Sequence, residues 1–260
     1  MNGLERIAEA FSAGGKRAAL MPYLMGGYPD LAGSLAIGNA YVDGGADLIE
    51  LGVPFSDPLA DGPVIQGAGS AALAAGATLK GVLGVAGELA ARVPVVVMCY
   101  SNVILARGID AFVDDLDSAC VSGLIVPDLP IEEAPATLAA CEARGVALVS
   151  LAAPTSTDER LAEIGKLTRG FLYTVAVAGT TGERGDESGY AAVIERVRSH
   201  TAVPVALGFG ISTPEQASAA ADAGADGVIV GSRLVREAIE HDEPAEACRV
   251  LVERFAEALR

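Results

Sequence analysis

The chain lacks tryptophan altogether, and it has few histidines and cysteines. It has two histidines, His200 and His241, and both fall near predicted helix ends, where we expect them at the surface. The four cysteines are widely spaced and form no C-x-x-C pair; they are Cys99, Cys120, Cys141 and Cys248. We therefore expect reduced, packed cysteines and no metal site, so acid–base chemistry must come from carboxylates or tyrosines.

Basic residues are also scarce. The sequence has 18 Lys and Arg against 34 Asp and Glu, which gives a formal net charge of −16. A nucleic-acid backbone is bound through clustered Lys and Arg, and the sequence has no such cluster, so we exclude nucleic acid as a ligand. The acidic excess predicts a solvated helical surface, although it would also repel anionic ligands at long range.

Long apolar runs are missing, although 51% of the 260 residues are hydrophobic. No run reaches the length of a membrane span, and Met1–Arg6 leads into an amphipathic helix rather than a signal peptide. No linker or low-complexity tract interrupts the chain. We therefore expect one cytoplasmic domain over residues 1–260, without contact to a membrane.

Short apolar runs alternate with helical patterns along the whole chain. Eight runs are predicted as strands; they are Ala19–Met25, Asp47–Val53, Pro94–Tyr100, Gly123–Asp128, Ala147–Ala152, Phe171–Val177, Pro204–Gly208 and Gly227–Gly231. Runs that are apolar throughout are typical of parallel strands covered on both faces. Eight strand–helix units in a chain of this length predict a (β/α)8 barrel, the TIM barrel of the α/β class.

An open, doubly wound sheet is the alternative architecture. Such a sheet carries a G-x-G-x-x-G fingerprint after its first strand, and Gly26-Gly27-Tyr28-Pro29 does not match it. Two additions to a plain barrel are predicted: a helix before the first strand, and a second helical segment after strand 2, where Gly67–Gly76 precedes Leu79–Arg92. Inserts of that length on a compact fold are usually functional or disordered.

The most informative feature is a carboxylate inside an apolar strand. Glu50 lies near the end of the second strand, and a loop rich in proline and glycine follows with Asp57 and Asp61. Glu50 could be a structural carboxylate in an ion pair, or a general acid–base group whose pKa is raised by desolvation. Asp57 and Asp61, taken alone, are equally typical of turn residues or a helix cap.

Glycine-rich loops follow the last three strands. Gly208-Phe-Gly-Ile-Ser212 and Val230-Gly-Ser232 follow strands seven and eight, where barrel enzymes often bind phosphate through backbone N–H groups. Ala178-Gly-Thr-Thr-Gly182 follows strand six and suggests either a flexible lid or an exposed loop. The tyrosines of the predicted strands are expected in the core or around a pocket; they are Tyr23, Tyr100 and Tyr173.

These motifs together resemble the tryptophan synthase alpha chain family. The segment Leu48–Gln66, LIELGVPFSDPLADGPVIQ, is similar to the signature of that family. Five further motifs occur in the family's order; they are Met98–Ile104, Gly123–Pro130, Ala178–Gly182, Gly208–Ser212 and Gly231-Ser232. Thr180 and Ala176, near the suggested lid, depart from the family's pattern.

The resemblance implies a lyase of tryptophan biosynthesis that cleaves indole-3-glycerol phosphate to indole and glyceraldehyde 3-phosphate by a retro-aldol reaction without a cofactor. It implies that Glu50 is the acid–base group, that Asp61 pairs with the ring nitrogen and that Tyr173 orients substrate or Glu50. The other implied residues form four groups: a phosphate site of Gly182, Gly210, Gly231 and Ser232, an indole pocket of Tyr23, Tyr100 and Phe209, a lid with Gly179 and Thr181, and a partner face with Pro54, Asp57, Leu129 and Pro130.

The resemblance also implies a partner, the tryptophan synthase beta chain, in a complex of two alpha and two beta chains. The pyridoxal phosphate of that enzyme would belong to the beta chain. From the residues we expect the pKa of Glu50 to rise toward ~6–7 and Asp61 to stay ionised in a solvated loop. Two other functions remain open: a different phosphate-binding barrel enzyme, such as a sugar-phosphate isomerase or epimerase, and a non-catalytic regulatory subunit.

Overall fold

The chain folds into a closed barrel of eight parallel strands in the order β1 to β8, and the predicted (β/α)8 architecture is thereby confirmed. The computed structural model describes residues 1–12, 15–175, 189–208 and 210–260. The strands are β1 Ala19–Met25, β2 Ile49–Gly52, β3 Val95–Met98, β4 Gly123–Ile125, β5 Ala147–Ala152, β6 Leu172–Val175, β7 Val205–Gly208 and β8 Gly227–Val230.

Helices surround the barrel. The described residues form α1 Gly3–Ser12, α2 Leu31–Asp43, α3 Pro63–Ala74, α4 Leu79–Ala90, α5 Ser101–Arg107, α6 Ile109–Ser118, α7 Ala134–Ala143, α8 Asp158–Leu167, α9 Tyr190–Arg198, α10 Pro214–Asp222, α11 Ser232–Glu240 and α12 Pro244–Ala258. The added N-terminal helix is α1, and the added helical segment after strand 2 is α3, followed by α4. Both predicted additions to the plain barrel are therefore present.

Several strands are shorter than the apolar runs that predicted them. Pro94 and Pro204 lie just before β3 and β7, and Pro54 lies two residues beyond the end of β2. Proline has no N–H to donate to a strand ladder, so it shortens the pairing while the apolar run continues. The strand ends therefore mark where the loops of the barrel mouth begin.

Residues of each strand alternate between the barrel interior and the layer under the helices. In β2 and the residue before it, Leu48 belongs to the interior cluster, whereas Ile49 and Leu51 belong to the cluster between strands and helices. The side-chain period of a strand is two residues, so Glu50 points inward like Leu48. Alternation therefore directs the carboxylate of β2 into the barrel.

The lower end of the barrel is closed by α1. Ile7 of this helix is fully buried in the interior cluster, and the rings of Phe11 and Phe171 lie 5.6 Å apart between centroids. Because this end is filled by apolar side chains, the opposite end, where the strands terminate, is the open one. In barrels of this kind that end carries the active site.

The cysteines are free in the structure. Cys99, Cys141 and Cys248 are buried as expected, but the expectation of a packed side chain is wrong for Cys120, which is exposed. Cys120 has φ 54° in the turn after α6, so the chain reverses there and turns the residue outward. His241 is exposed and His200 half-buried, both just beyond helix ends.

No single helix in the described ranges has both the length and the apolar character needed to cross a bilayer. The helices α3 and α4 meet both criteria only when taken together, and they are bent by 110° relative to each other.

Two helical glycines provide a test of how closely the helices pack. A Cβ on Gly165 in α8 would lie 1.9 Å from the carbonyl oxygen of His200, whereas a Cβ on Gly84 in α4 would meet nothing within 4 Å. Gly165→Ala should therefore lower the free energy of unfolding by about 1–3 kcal/mol through overpacking. Gly84→Ala should raise it by about 0.5–1 kcal/mol, because alanine favours the helix. Urea unfolding measures both, and a stabilising Gly165→Ala would contradict the packing described.

Candidate active site

One cavity opens at the carboxyl ends of the strands, and most of the described candidate residues line it. Its lining combines two carboxylates, two phenols, an apolar floor and two glycine-containing turns; the residues are Tyr23, Glu50, Asp61, Ile65, Met98, Tyr173, Gly210, Ile211, Ser212, Ile229, Gly231, Ser232 and Arg233. The fold therefore gathers residues from β1, β2, β3, β6 and the last two strand ends at one place.

Glu50 is held in an almost dry environment. Its residue is 1% exposed, and its Oε2 atom has no hydrogen-bond partner. In the parallel register Glu50 lies beside Tyr23 of β1 and Val96 of β3. The alternative in which Glu50 is locked in an ion pair is not supported, because no described Lys or Arg pairs with it.

The charge state of Glu50 follows from this environment. Burial, and secondarily the negative charge of Asp61, raise the pKa of Glu50 to about 8. The sequence predicted a smaller rise, because it could not show that one carboxyl oxygen is left without any donor. Glu50 is therefore mainly a neutral acid at pH 7, able to give a proton and to take it back.

Asp61 differs from the sequence expectation. We expected a solvated loop, but Asp61 is only partly exposed and lines the cavity. Burial raises its pKa, and a hydrogen bond from the Tyr100 hydroxyl opposes that rise. The backbone of the same loop is fixed by Gln66, whose Nε2 donates to the carbonyl oxygen of Asp61 at 2.8 Å. Asp61 is thus held in position by its loop, unlike the residue of a freely solvated turn.

Two tyrosines flank Glu50 inside the barrel. Tyr23 and Tyr173 are each 4% exposed, and burial followed by nearby carboxylate charge raises the pKa of both phenols well above the ordinary value. Their hydroxyls rest against glycines: a Cβ on Gly52 would lie 2.0 Å from the Tyr23 Oη, and a Cβ on Gly208 would lie 2.6 Å from the Tyr173 Oη. Both phenols therefore stay protonated and occupy space that only glycine leaves free.

Tyr100 lies beside the cavity rather than in its lining. Its Oη accepts a hydrogen bond from the Ala60 N–H at 3.0 Å, and its ring stacks on Phe55 with 5.4 Å between centroids. That Tyr100 forms part of an indole pocket stays a prediction. In the structure it packs against the loop that carries Asp61, which lines the cavity.

The ends of β7 and β8 differ in how their following helices are capped. At α10 the side chain of Thr213 accepts from Gln216 N–H, and Gln216 Oε1 accepts from the N–H groups of Ser212 and Thr213. At α11 the N-cap is Gly231, which offers no side-chain cap. The first N–H groups of α11, beginning at Ser232, are thus left for another acceptor, as at helix ends that bind anions.

Gly210 completes this part of the cavity. It has φ +91°, a backbone conformation that favours glycine, and it lines the cavity together with Gly231 and Ser232. Three of the four predicted phosphate-site residues are therefore together. The remaining one, Gly182, lies outside the described residues, and so do Phe209 of the indole pocket and the lid residues Gly179 and Thr181.

The predicted partner face is on the same end of the barrel. Asp57 is exposed and accepts a hydrogen bond from Ser56 Oγ at 2.6 Å, Pro130 is exposed and Leu129 is half-buried. Pro54 is buried, so in the free chain it supports the loop from below. Two apolar side chains that the sequence analysis did not single out are strongly exposed here, Leu59 at 80% and Leu105 at 65%.

Several lining residues were missed because their sequence signal is that of an ordinary core. Ile65, Met98 and Ile229 form part of the floor, and nothing in their spacing separates them from other buried apolar residues. Arg233, in the first turn of α11, was also not singled out from the sequence. In the structure it lines the cavity and its Nη1 lies 2.5 Å from Glu237 Oε2.

Across the parts of the chain that the structure describes, no group of three or more His, Cys, Asp or Glu side chains is arranged to hold a metal ion.

Comparison with known proteins gives one family. The family model described as "Tryptophan synthase alpha chain" matches residues 11–260. Curated relatives with that name include one from Synechococcus elongatus, 47% identical over 240 residues and covering 90% of each chain. Another, from Phenylobacterium zucineum, is 47% identical over 266 residues, 98% of this chain and 94% of the relative.

Solved structures agree with the sequence relatives. A structure of Mycobacterium tuberculosis tryptophan synthase aligns with a TM-score of 0.91 and 39% identity over 98% of both chains. A structure of tryptophan synthase subunit alpha from Legionella pneumophila aligns with a TM-score of 0.90 and 34% identity over 100% of this chain and 98% of that one. The similarity thus extends over the barrel and its loops together.

The environment of Glu50 predicts a pH-dependent stability. Its folded pKa of about 8 exceeds the ordinary value of 4.5, so the stability given by the neutral form is complete below pH 4.5 and is lost as the pH rises through 8. Glu50→Gln keeps the shape without the charge. It should become more stable than the unmodified chain at high pH, by on the order of a few kcal/mol.

Urea unfolding at acidic and alkaline pH measures this difference. Glu88→Gln, on the exposed face of α4, is the matched control and should show no such growth with pH. If Glu50→Gln and the unmodified chain keep the same stability difference at every pH, Glu50 does not have a raised pKa.

Proposed function

The chain belongs to the tryptophan synthase alpha chain family, and from that premise we propose which of its residues perform the reaction. It is a carbon–carbon lyase of tryptophan biosynthesis that cleaves indole-3-glycerol phosphate to indole and glyceraldehyde 3-phosphate. The observation that supports the assignment of residues most strongly is the buried Glu50, with a carboxyl oxygen that no donor satisfies, at the wall of the cavity.

Glu50 is proposed as the proton carrier. In its neutral form it donates a proton to C3 of the indole ring, which leaves a cationic ring and a Glu50 carboxylate. The bond between C3 and the side chain then breaks, its electrons return to the ring, and the adjacent hydroxyl gives its proton to Glu50 as the aldehyde forms. The proton balance closes, since Glu50 ends as it began.

Asp61 is proposed to stabilise the positive charge on the ring. As a carboxylate it accepts a hydrogen bond from the ring N–H, and this interaction is strongest when C3 is protonated and the ring is cationic. An interaction that is stronger in the transition state than in the bound substrate lowers the barrier. Tyr173 of β6 lines the same cavity as Glu50 and is proposed to fix the position of substrate or of Glu50.

The phosphate is proposed to bind at the start of α11. The N–H groups of Ser232 and Arg233, the turn at Gly231 and the backbone of Gly210 surround this part of the cavity. A helix N-terminus attracts an anion through its N–H groups and dipole. The indole ring would then extend over the apolar floor between Tyr23 and Ile65 toward Asp61.

The family implies a tryptophan synthase beta chain as partner, and we propose an assembly of two alpha and two beta chains in the cytoplasm. Asp57, Leu129 and Pro130 are proposed to contact the beta chain, since they surround the barrel mouth on one side. The exposed Leu59 and Leu105 at the same end add apolar surface to that face.

Removal of the proton carrier tests the assignment of Glu50. Glu50→Gln should lower kcat for indole release by about a thousandfold or more, because one group serves two proton transfers. Binding of an indolealkyl phosphate that lacks the reacting hydroxyl should be retained. Steady-state assays and calorimetry measure the two, with Glu88→Gln as the control; substantial residual turnover would refute the role.

Addition of a beta chain tests the partner face. Turnover of indole-3-glycerol phosphate should rise many-fold when a cognate beta chain is added, and Asp57→Ala should reduce that rise. Asp117→Ala, exposed in the last turn of α6 just before β4 begins, is the matched control, because it lies at the end of the barrel where the strands start. An unchanged rate with saturating beta chain would mean that this protein works alone.

A further inference from the structure

The charge of Asp61 within the cavity requires a structural explanation. Asp61 has to be an anion to stabilise a cationic ring, yet its carboxyl is partly buried near the carboxyl of Glu50. Burial and a second acid both favour the neutral form of a carboxyl group. Some contact in the structure must therefore keep Asp61 ionised and directed into the cavity.

Tyr100 makes two contacts with the loop that carries Asp61: its Oη accepts a hydrogen bond from the Ala60 N–H at 3.0 Å, and its ring stacks on Phe55. Its hydroxyl also lies near the Asp61 carboxyl and lowers the pKa of that group, against the rise that burial causes. These contacts reach both ends of the loop 55–61. The Tyr100 residue is only 3% exposed, so the phenol is confined to this position.

Tyr100 is in turn fixed by the start of α5. It is the N-cap of this helix and provides no side-chain cap itself. The capping acceptor comes from the loop after β4: Asp128 Oδ1 accepts from the Ser101 N–H at 2.8 Å, and its Oδ2 accepts from Ser101 Oγ at 2.7 Å. A carboxylate that satisfies a free helix N–H stabilises the helix start, and here it also fixes the residue that precedes it.

We propose that Tyr100 is a positioning residue that holds the loop 55–61 in place and presents the Asp61 carboxylate to the cavity, and that Asp128 positions Tyr100 through the first turn of α5. The inference rests on the role proposed above for Asp61 and deepens it. The loops after β2, β3 and β4 thereby converge on one phenol.

The other ionisable groups around Asp61 do not replace Tyr100. They are Glu50 of β2, Tyr23 of β1 and Tyr173 of β6, which face it across the cavity. The two carboxyl groups repel each other when both are ionised, and the two phenols stay protonated because burial and carboxylate charge raise their pKa. Burial raises the pKa of Tyr100 to about 12, and the charges of Asp61 and, more weakly, of Asp128 add to that rise, so the hydroxyl remains a donor.

Tyr100→Phe is the first test, since it keeps the ring and its stacking and removes only the hydroxyl. The kcat for indole-3-glycerol phosphate should fall about ten- to hundredfold, the effect of a lost hydrogen bond to a charged group, while KM changes little. The pKa of Asp61 should rise without this donor. Activity that needs the anion should then be lost at a higher pH, so the acid limb of the pH profile moves upward.

Tyr28→Phe is the matched control, because this half-buried tyrosine lies outside the cavity lining and its loss of a hydroxyl should leave the profile in place. If Tyr100 only formed an apolar wall, phenylalanine would serve equally well. An unchanged kcat and an unchanged acid limb in Tyr100→Phe would therefore overturn the inference.

Hydrogen exchange gives a readout that does not depend on turnover. The amide of Ala60 should exchange faster in Tyr100→Phe, since its acceptor is gone, and it should also exchange faster in Asp128→Asn. In a double-mutant cycle Asp128→Asn should add little to Tyr100→Phe, because the two act on one contact. Fully independent effects on kcat would show that Asp128 does not act through Tyr100.

The proposed function and the positioning role of Tyr100 can be refuted separately. If the unmodified chain releases no indole from indole-3-glycerol phosphate, the proposed function is wrong. If it does release indole, but neither the pH profile nor the Ala60 exchange responds to Tyr100→Phe, the function stands and the positioning role is wrong.

Discussion

A carboxyl group kept in an apolar cavity without a cation is the constraint on which the site depends. Isolating such a group from water disfavours its charged form, so the protein holds Glu50 as an acid at neutral pH. The strand period directs it inward, α1 closes the far end of the barrel, and Gly52 and Gly208 leave room for the phenols beside it. Together these features keep the carboxyl buried, and none of the described Lys or Arg side chains pairs with it.

The phosphate site follows the same constraint. A Lys or Arg clamp close to Glu50 would favour its anion and lower its pKa. A cradle of backbone N–H groups at α11 can bind an anion without placing a full positive charge in the cavity. Arg233 lines the cavity but is paired with Glu237, so much of its charge is balanced locally. The acidic composition of the chain and the design of this site are therefore compatible.

Glu50 of β2 and Asp61 of the loop that follows it thus have opposite roles, because their surroundings differ. Glu50 has no donor at Oε2 and remains protonated, whereas at Asp61 the Tyr100 hydroxyl opposes the rise in pKa that burial causes. Differences of this kind between adjacent acids are what acid–base catalysis requires. They depend on contacts between loops that follow β2, β3 and β4, so the chemistry depends on how the strands are ordered.

The sequence predicted the barrel, its two added helices and the inward Glu50, because these follow from periodicity and from the count of apolar runs. It could not predict that Asp61 is partly buried, because Asp-Gly-Pro reads as a turn wherever it lies. It also could not place Tyr100, whose partners Ala60 and Asp128 are separated from it along the chain and meet it only after folding. Strand ends were overestimated where prolines stop the pairing within apolar runs.

The protonation state of Glu50 can be measured directly by carbon NMR of a chain labelled at the glutamate side-chain carboxyls, with the signal assigned by its loss in Glu50→Gln. The account predicts that this carboxyl titrates near pH 8 in the ligand-free protein. A midpoint near the ordinary value of 4.5 would show an anion at neutral pH, and Glu50 could not then be the acid that protonates the indole ring.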